Sequence, residues 1–401
     1  MEAIVQDAAP DRGEDAARAG LRQVFGFVYF TLVSYLSVGA PLAVLPPYVH
    51  LRLGMSVAIA GLVIGLQSLA TLASRPWVGW ISDRHGAKVC VLWGMASCTA
   101  SGAAMICAAA FQNRQLSGFA FLIASRLLLG MAVSLGSTGS TLWGIRGLGQ
   151  EHTAQVLSYN GIATYGGVGL GAPLGVVLDK YWGLAGIGVF TAVFAAASFA
   201  MAARKAPVPA VHGEPERFHR VLGRVAPYGN AVALSTVAYG VLTTFIALYF
   251  SSRHWSGAAL CLTAFGASFV VVRALFTQSI NRWGGLPVAI VSLAVTSVAM
   301  FLLWRAGSPW MAGAAASLTG FGLSLVYPAL GVEAIRHIPE HNRGAALAGF
   351  AVFFDVSIFL TGPVAGFVIG WYGYASVFLF GLICVLASLG IVVVLRQMQK
   401  G

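Results

Sequence analysis

Apolar residues in this chain come in long unbroken runs, and the polar ones gather between them. Twelve runs stand out, at 24–47, 55–80, 87–111, 117–145, 153–178, 184–203, 226–250, 257–280, 286–304, 309–335, 344–370 and 373–395. About 20 apolar residues let a helix cross a bilayer, so each run predicts one crossing. The expected fold is an all-α membrane protein of twelve transmembrane helices.

Composition agrees. Hydrophobic residues make up 58% and charged residues 9%, with a mean hydropathy of +0.80. Soluble domains carry about 25% charged residues, which excludes an ordinary cytosolic protein. The 49 glycines follow no three-residue period and no polar low-complexity tract occurs, which excludes collagen and disorder. Before the first run lie five acidic residues and three arginines, and this segment lacks the basic start, short apolar core and cleavage site of a signal peptide. Five scattered cysteines form no CxxC pair and read as small packing residues.

The net charge of +11 changes the picture only as topology. With the N-terminus in the cytoplasm, sixteen Lys and Arg fall on the cytoplasmic side and five on the other, while Arg75, Arg126 and Arg273 lie within spans. This asymmetry follows the positive-inside rule, places both termini in the cytoplasm and leaves no case for nucleic acid as a partner.

The stretch from Arg204 to Arg224, with Pro207, Pro209, Gly213, Pro215 and five basic residues, divides six spans from six. The expected organisation is a tail (1–23), a six-helix bundle (24–203), a linker (204–225), a second bundle (226–396) and a short tail (397–401). The halves resemble each other. Arg75 precedes Asp83-Arg84 and Gly86 as Arg273 precedes Asn281-Arg282 and Gly284. An offset of 190 relates Gly130 to Gly320, Ser134 to Ser324, Arg146 to Arg336, Pro173 to Pro363 and Gly183 to Gly373. Paired six-helix halves are a transporter architecture with the substrate near the midplane.

The loop after span two, GWISDRHGAK, resembles the G-x-x-x-D-R-x-G-x-K signature of the major facilitator superfamily. Arg126 and Gly130 in span four resemble that family's second motif. Span five, GGVGLGAPLG, is similar to the Gly-Pro motif of its antiporter branch, with Ala172 where Gly usually precedes Pro. Among subgroups, the arabinose-efflux-permease-like bacterial exporters of the drug:proton antiporter type are the nearest match. The resemblance implies alternating access in a bacterial inner membrane, a cavity lined by spans one, four, seven and ten, and gating by the signature loop. Gating residues on this reading are Arg75, Gly79, Asp83, Arg84, Gly86, Lys88, Arg273 and Arg282. Asp83 is expected at the inner end of span eleven, and Arg84 or Lys88 beside an acid.

A charge inside a bilayer costs several kcal/mol and needs a reason. Asp355 lies about 16 Å into span eleven, deeper than any other carboxylate, and is the candidate for proton coupling, with a structural ion pair as the alternative. Arg126 lies about 12 Å into span four and is expected to hold an anion, either Asp355 or an acid group of the substrate. Arg75 and Arg273 are expected to snorkel toward the interface. The cavity candidates are Arg126, Tyr29, Tyr35, Gln67, Asn160, Tyr239, Thr243 and Tyr327, with Ser34, Ser137, Thr138 and Thr244 nearby. Aromatics with small hydroxyls suit an amphipathic organic ligand.

No HExxH, metal-spaced acidic pair or GxxxxGKS occurs, so no metal, nucleotide or other cofactor is expected and the chain does not read as an enzyme. The expected function is proton-coupled efflux of a small organic molecule by a monomer, with protons and membrane lipids as its other partners. Uptake or facilitated diffusion of a sugar, carboxylate or amino-acid-like solute is the alternative within transport. A non-transporting receptor or lipid-handling protein is the alternative outside it.

Overall fold

A computed structural model describes residues 12–112, 114–149, 153–208, 218–276, 278–336 and 343–399. The elements are α1 (Arg12–Leu42), α2 (Leu45–Pro47), a π turn (Tyr48–Arg52), α3 (Val57–His85), α4 (Ala87–Ala110), α5 (Gln115–Leu148) and α6 (Thr153–Arg204). They continue with α7 (Phe218–Ser252), α8 (Ala258–Phe276), α9 (Gln278–Trp283), α10 (Gly285–Trp304), α11 (Pro309–Leu323), α12 (Val326–Ile335), α13 (Arg343–Tyr372) and α14 (Ser376–Met398).

Eleven of the helical stretches are apolar and long enough to cross a membrane. One of them, Val156–Arg204, is 49 residues long and turns back at Gly183 (φ 62°, ψ −162°), which makes twelve crossings. The turn is visible in packing: a Cβ on Gly186 would lie 3.0 Å from the Leu178 carbonyl, although a straight helix separates positions eight apart by about 12 Å. Spans five and six are therefore both in α6. Span eight is α8 with α9, span ten is α11 with α12, and span eleven is α13. Some ends differ from the apolar pattern. Helix begins at Arg12 and again at Phe218, inside stretches read as tail and linker, because polar residues prolong a helix beyond its membrane-embedded part.

Local chemistry sets the ends. Ser56 accepts a hydrogen bond from the Ile59 N–H and starts α3. Ser308 does the same for Met311, with Pro309 in the first helical turn. The repeated Asp/Asn-Arg-x-Gly segments both close on a glycine of positive φ, Gly86 at 87° and Gly284 at 86°.

The duplication is built into the packing. Gly130 sits against the Gln67 carbonyl as Gly320 sits against the Phe265 carbonyl, with no room for a Cβ in either place. The Leu36–Gly171 crossing of spans one and five recurs as Gly240–Thr361 in spans seven and eleven. Equivalent residues are thus offset by 204 in spans one and seven, 198 in two and eight, and 190 in four and ten and in five and eleven.

The two halves meet along two seams. In the first, span two crosses span eleven, with Gly61 against Gly362 and Gly65 against the Phe359 carbonyl. In the second, span five crosses span eight, where Gly169 faces Gly266 and the Thr263 hydroxyl donates to the Gly169 carbonyl at 2.9 Å. On the side opposite the termini, hereafter the far side, the halves are also tied by His50 and Tyr374. His50 Nδ1–H donates to the Met55 carbonyl at 2.7 Å, and in that tautomer Nε2 accepts from the Tyr374 hydroxyl at 3.1 Å. The far side is closed.

Candidate functional site

The first seam carries the charges. Arg75 projects from span two and Asp355 from span eleven, and Arg75 Nε donates to Asp355 Oδ2 at 2.5 Å. Asp355 is buried and Arg75 partly so. Each lies about 15–18 Å from the termini-side end of its helix, near the middle of the bilayer. Tyr35 of span one and Tyr327 of span ten lie within electrostatic reach of the pair. Arg75 therefore reaches inward to a carboxylate, where the sequence suggested that it would snorkel outward. A carboxylate at the same depth attracts a guanidinium more strongly than the distant interface does.

The second seam is aromatic. Tyr165 of span five stacks on Phe269 of span eight with ring centroids 3.5 Å apart and meets Tyr239 of span seven edge-on at 5.8 Å. Tyr239 also faces Phe265 and Phe354, and Phe354 faces Tyr327. With Ser235 and Thr236 these rings enclose a void of about 20 Å³, room for a single water. At its edge Arg273 holds the Ser324 carbonyl at 2.7 Å, with its guanidinium 6.0 Å from the Phe269 ring. The seams are repeat mates: the offset of 198 turns Arg75 into Arg273, and that of 190 turns Tyr165 into Asp355. One seam thus opposes arginine with carboxylate, and its mate opposes arginine with phenol.

Arg126 is not the partner of Asp355. It lies fully buried between spans two and four, with Nη2 donating to Gln67 Oε1. Its Nε and Nη1 have no acceptor among the described residues. Sequence position gave Arg126 its depth but not its azimuth around the bundle, and Arg75 occupies the carboxylate instead.

Tyr35, Tyr239, Tyr327, Arg75, Arg273 and Asp355 are brought together at the seams. Tyr29 and Asn160 lie elsewhere: Tyr29 accepts from Ser198 of span six at 3.4 Å, and Asn160 accepts from Thr31 at 2.6 Å. Thr243 donates to the Tyr239 carbonyl of its own helix, and Ser34 likewise to Phe30. Thr244 is buried in span seven, while Ser137 and Thr138 are part-buried in span four. Tyr165 escaped the sequence reading, and its one available signal was the offset from Asp355.

Of the gating candidates, Arg84 and Arg282 are exposed. Gly79 and Asp83 fall in α3, but the surroundings of Gly79 and the side chain of Asp83 lie outside what is described, as do the side chains around Gly344 where Asp83 was expected to dock. Lys88 meets no acid among the described residues. Its ammonium caps the end of span six, donating to the Ala203 and Lys205 carbonyls at 2.8 and 2.6 Å, because unpaired carbonyls at a helix end attract a cation. Lys205 in turn donates to the Gly26 carbonyl and lies over Phe27 at 4.9 Å and Phe30 at 5.6 Å. Burial there holds its ammonium below the ordinary lysine value. Among the described residues no three His, Cys, Asp or Glu side chains gather as metal ligands would.

A family model described as Major Facilitator Superfamily matches residues 27–286 and 230–400. An "Uncharacterized MFS-type transporter" of Pseudomonas aeruginosa is 48% identical over 388 residues, 96% of each chain. Another, of Burkholderia mallei, is 45% identical over 399 residues, covering 100% of this chain and 98% of the relative. The solved nucleoside transporter NupG superposes with a TM-score of 0.72 at 14% identity, covering 92% of this chain and 99% of its own. A D-xylose-proton symporter does so with 0.72 at 15%, covering 94% and 97%.

Proposed function

The chain belongs to the major facilitator superfamily, and from that premise we propose that it is a proton-coupled secondary transporter exporting a small organic molecule across a bacterial inner membrane. The observation that carries this reading is the Arg75–Asp355 pair, which joins the two halves at 2.5 Å in a buried seam. Opening the seam parts the guanidinium from the carboxylate. Left in low dielectric, the carboxylate can exchange its lost partner for a proton, so the conformational change and proton transfer become one event. The far side then corresponds to the periplasm, and the form described is the one closed to it. Export follows the resemblance of span five to the antiporter branch.

Asp355→Asn, studied in proteoliposomes, tests the reading. This variant keeps the shape of a protonated carboxyl and cannot exchange its proton. It should abolish accumulation driven by a pH gradient and leave gradient-free exchange of the carried compound intact. Gradient-driven accumulation in the Asn variant would remove Asp355 from coupling. Failure of the variant to fold would make the pair purely structural, because removal of one partner leaves a buried charge uncompensated.

A further inference from the structure

Resting on that transport reading, we propose that the substrate is an organic anion bearing a planar aromatic group, which takes the place of the Tyr165–Phe269 stack. Two independent features point to this class. The first is the shape and lining of the second seam. Tyr165 belongs to one half and Phe269 to the other, so a 3.5 Å ring stack spans an interface that must part in every cycle. Each time it parts, two flat faces lose their partner at once, with Tyr239, Phe265 and Phe354 around them. A slot bounded by flat rings fits a third flat ring, since aromatic rings prefer offset-stacked or edge-on contact with one another. In the closed form the protein's own rings fill it, and only about 20 Å³ stays open.

The second feature is charge. Among the described residues the two seams hold the guanidinium groups of Arg75 and Arg273 against the single carboxylate of Asp355. Arg273 lies beside the stack, 6.0 Å from the Phe269 ring, and Gly161 of the opposite half leaves its guanidinium room: a Cβ there would come within 3.2 Å of Nη2. Between spans two and four Arg126 is fully buried, with two nitrogens that have no acceptor among the described residues. A low-dielectric centre of positive balance is stabilised by an anion and repels a cation. An anionic group attached to a stacked ring would lie at Arg273 while Asp355 stays committed to Arg75. The seam that has phenol in place of carboxylate is then the ligand-bearing one, and its mate is the coupling one.

The test uses the full-length purified protein and three soluble probes of one ring size: benzenesulfonate, its neutral sulfonamide, and cyclohexanesulfonate as the non-planar anion. Binding is read from the rise in melting temperature with probe concentration. The benzenesulfonate should protect at concentrations about tenfold or more below either other probe. Tyr165→Leu should erase the advantage over cyclohexanesulfonate, whereas Tyr165→Phe should keep it. Arg273→Gln should erase the advantage over the sulfonamide, whereas Arg273→Lys should keep part of it. Equal protection by cyclohexanesulfonate would overturn the aromatic slot, and equal protection by the sulfonamide would overturn the anion.

The probe is membrane-impermeant, so flux into proteoliposomes separates this inference from the one beneath it. Ring- and charge-dependent binding without flux would support the site and refute transport. Absence of binding in a preparation that moves another compound would refute the site and support transport.

Discussion

Replacing Gly61 by alanine should push the protein toward its far-side-open form. Gly61 and Gly362 cross backbone to backbone in the first seam, and a Cβ on Gly61 would fall on the Gly362 carbonyl group. Non-bonded carbon atoms settle at about 3.5–4.0 Å, so the helices must separate by an ångström or more to admit the methyl group. Overpacking of this kind costs about 1–3 kcal/mol. The cost falls only on the form in which this crossing is closed. It converts to a population shift of about 5- to 150-fold toward the open form. Gly65→Ala, with its Cβ 2.7 Å from the Phe359 carbonyl oxygen, should act in the same direction. Gly313→Ala is the control, since a Cβ there meets nothing within 4 Å. The assay is pulsed electron spin resonance between labels at the exposed residues Leu51 and Trp371, which belong to opposite halves, with the five native cysteines replaced. The Gly61 variant should add a long-distance component that the Gly313 variant lacks. An unchanged distance distribution in a folded Gly61 variant would refute the argument, because the crossing would then not be a contact that opens.

Tyr374→Phe removes the single hydrogen bond to His50 and should favour the same opening by about 0.5–1.5 kcal/mol, read with the same label pair. If His50→Ala adds to it fully, the two residues are not partners. Arg126→Met should fold with an undiminished melting temperature, because two of the three nitrogens it removes have no acceptor among the described residues, and it should lose transport, while Arg126→Lys keeps part. A sharp fall in melting temperature with Met would instead make Arg126 a structural charge. Gly183→Ala forces a side chain into a backbone region open almost only to glycine, and should lower stability by about 1–3 kcal/mol in a denaturation experiment.

Apolar runs and the rise per residue made depth legible in the sequence. Asp355, Arg126 and Arg75 lie in spans, at levels that the count of residues from each span end gives directly. Azimuth was not legible. Whether a side chain faces its own bundle, the other half or lipid depends on how twelve helices pack, and a sequence with apolar residues on all faces carries no stripe to reveal it. Arg75 was misjudged for this reason, as was the partner of Arg126. Tyr29 and Tyr35 are six residues apart in one span, yet one meets span six and the other the seam. The duplication was legible where an offset of 190 held. Offsets of 198 and 204 in spans two and one reflect connections of different length between the halves, which hid the correspondence of the two seams. Contacts between distant loops, such as His50 with Tyr374, left no local trace at all.

The Lys205 staple has a consequence for how the gene could be divided. Its ammonium fastens the exit of span six to the entrance of span one, and its carbonyl receives Lys88 from span three. The first half is thus closed upon itself before the connection to the second begins. A break in the reading frame after Val208, with a new start ahead of Phe218, would sever no contact described for either bundle. Two plasmids, each carrying one half, should therefore complement each other in a single cell, and the Lys205→Ala version of the first should complement poorly.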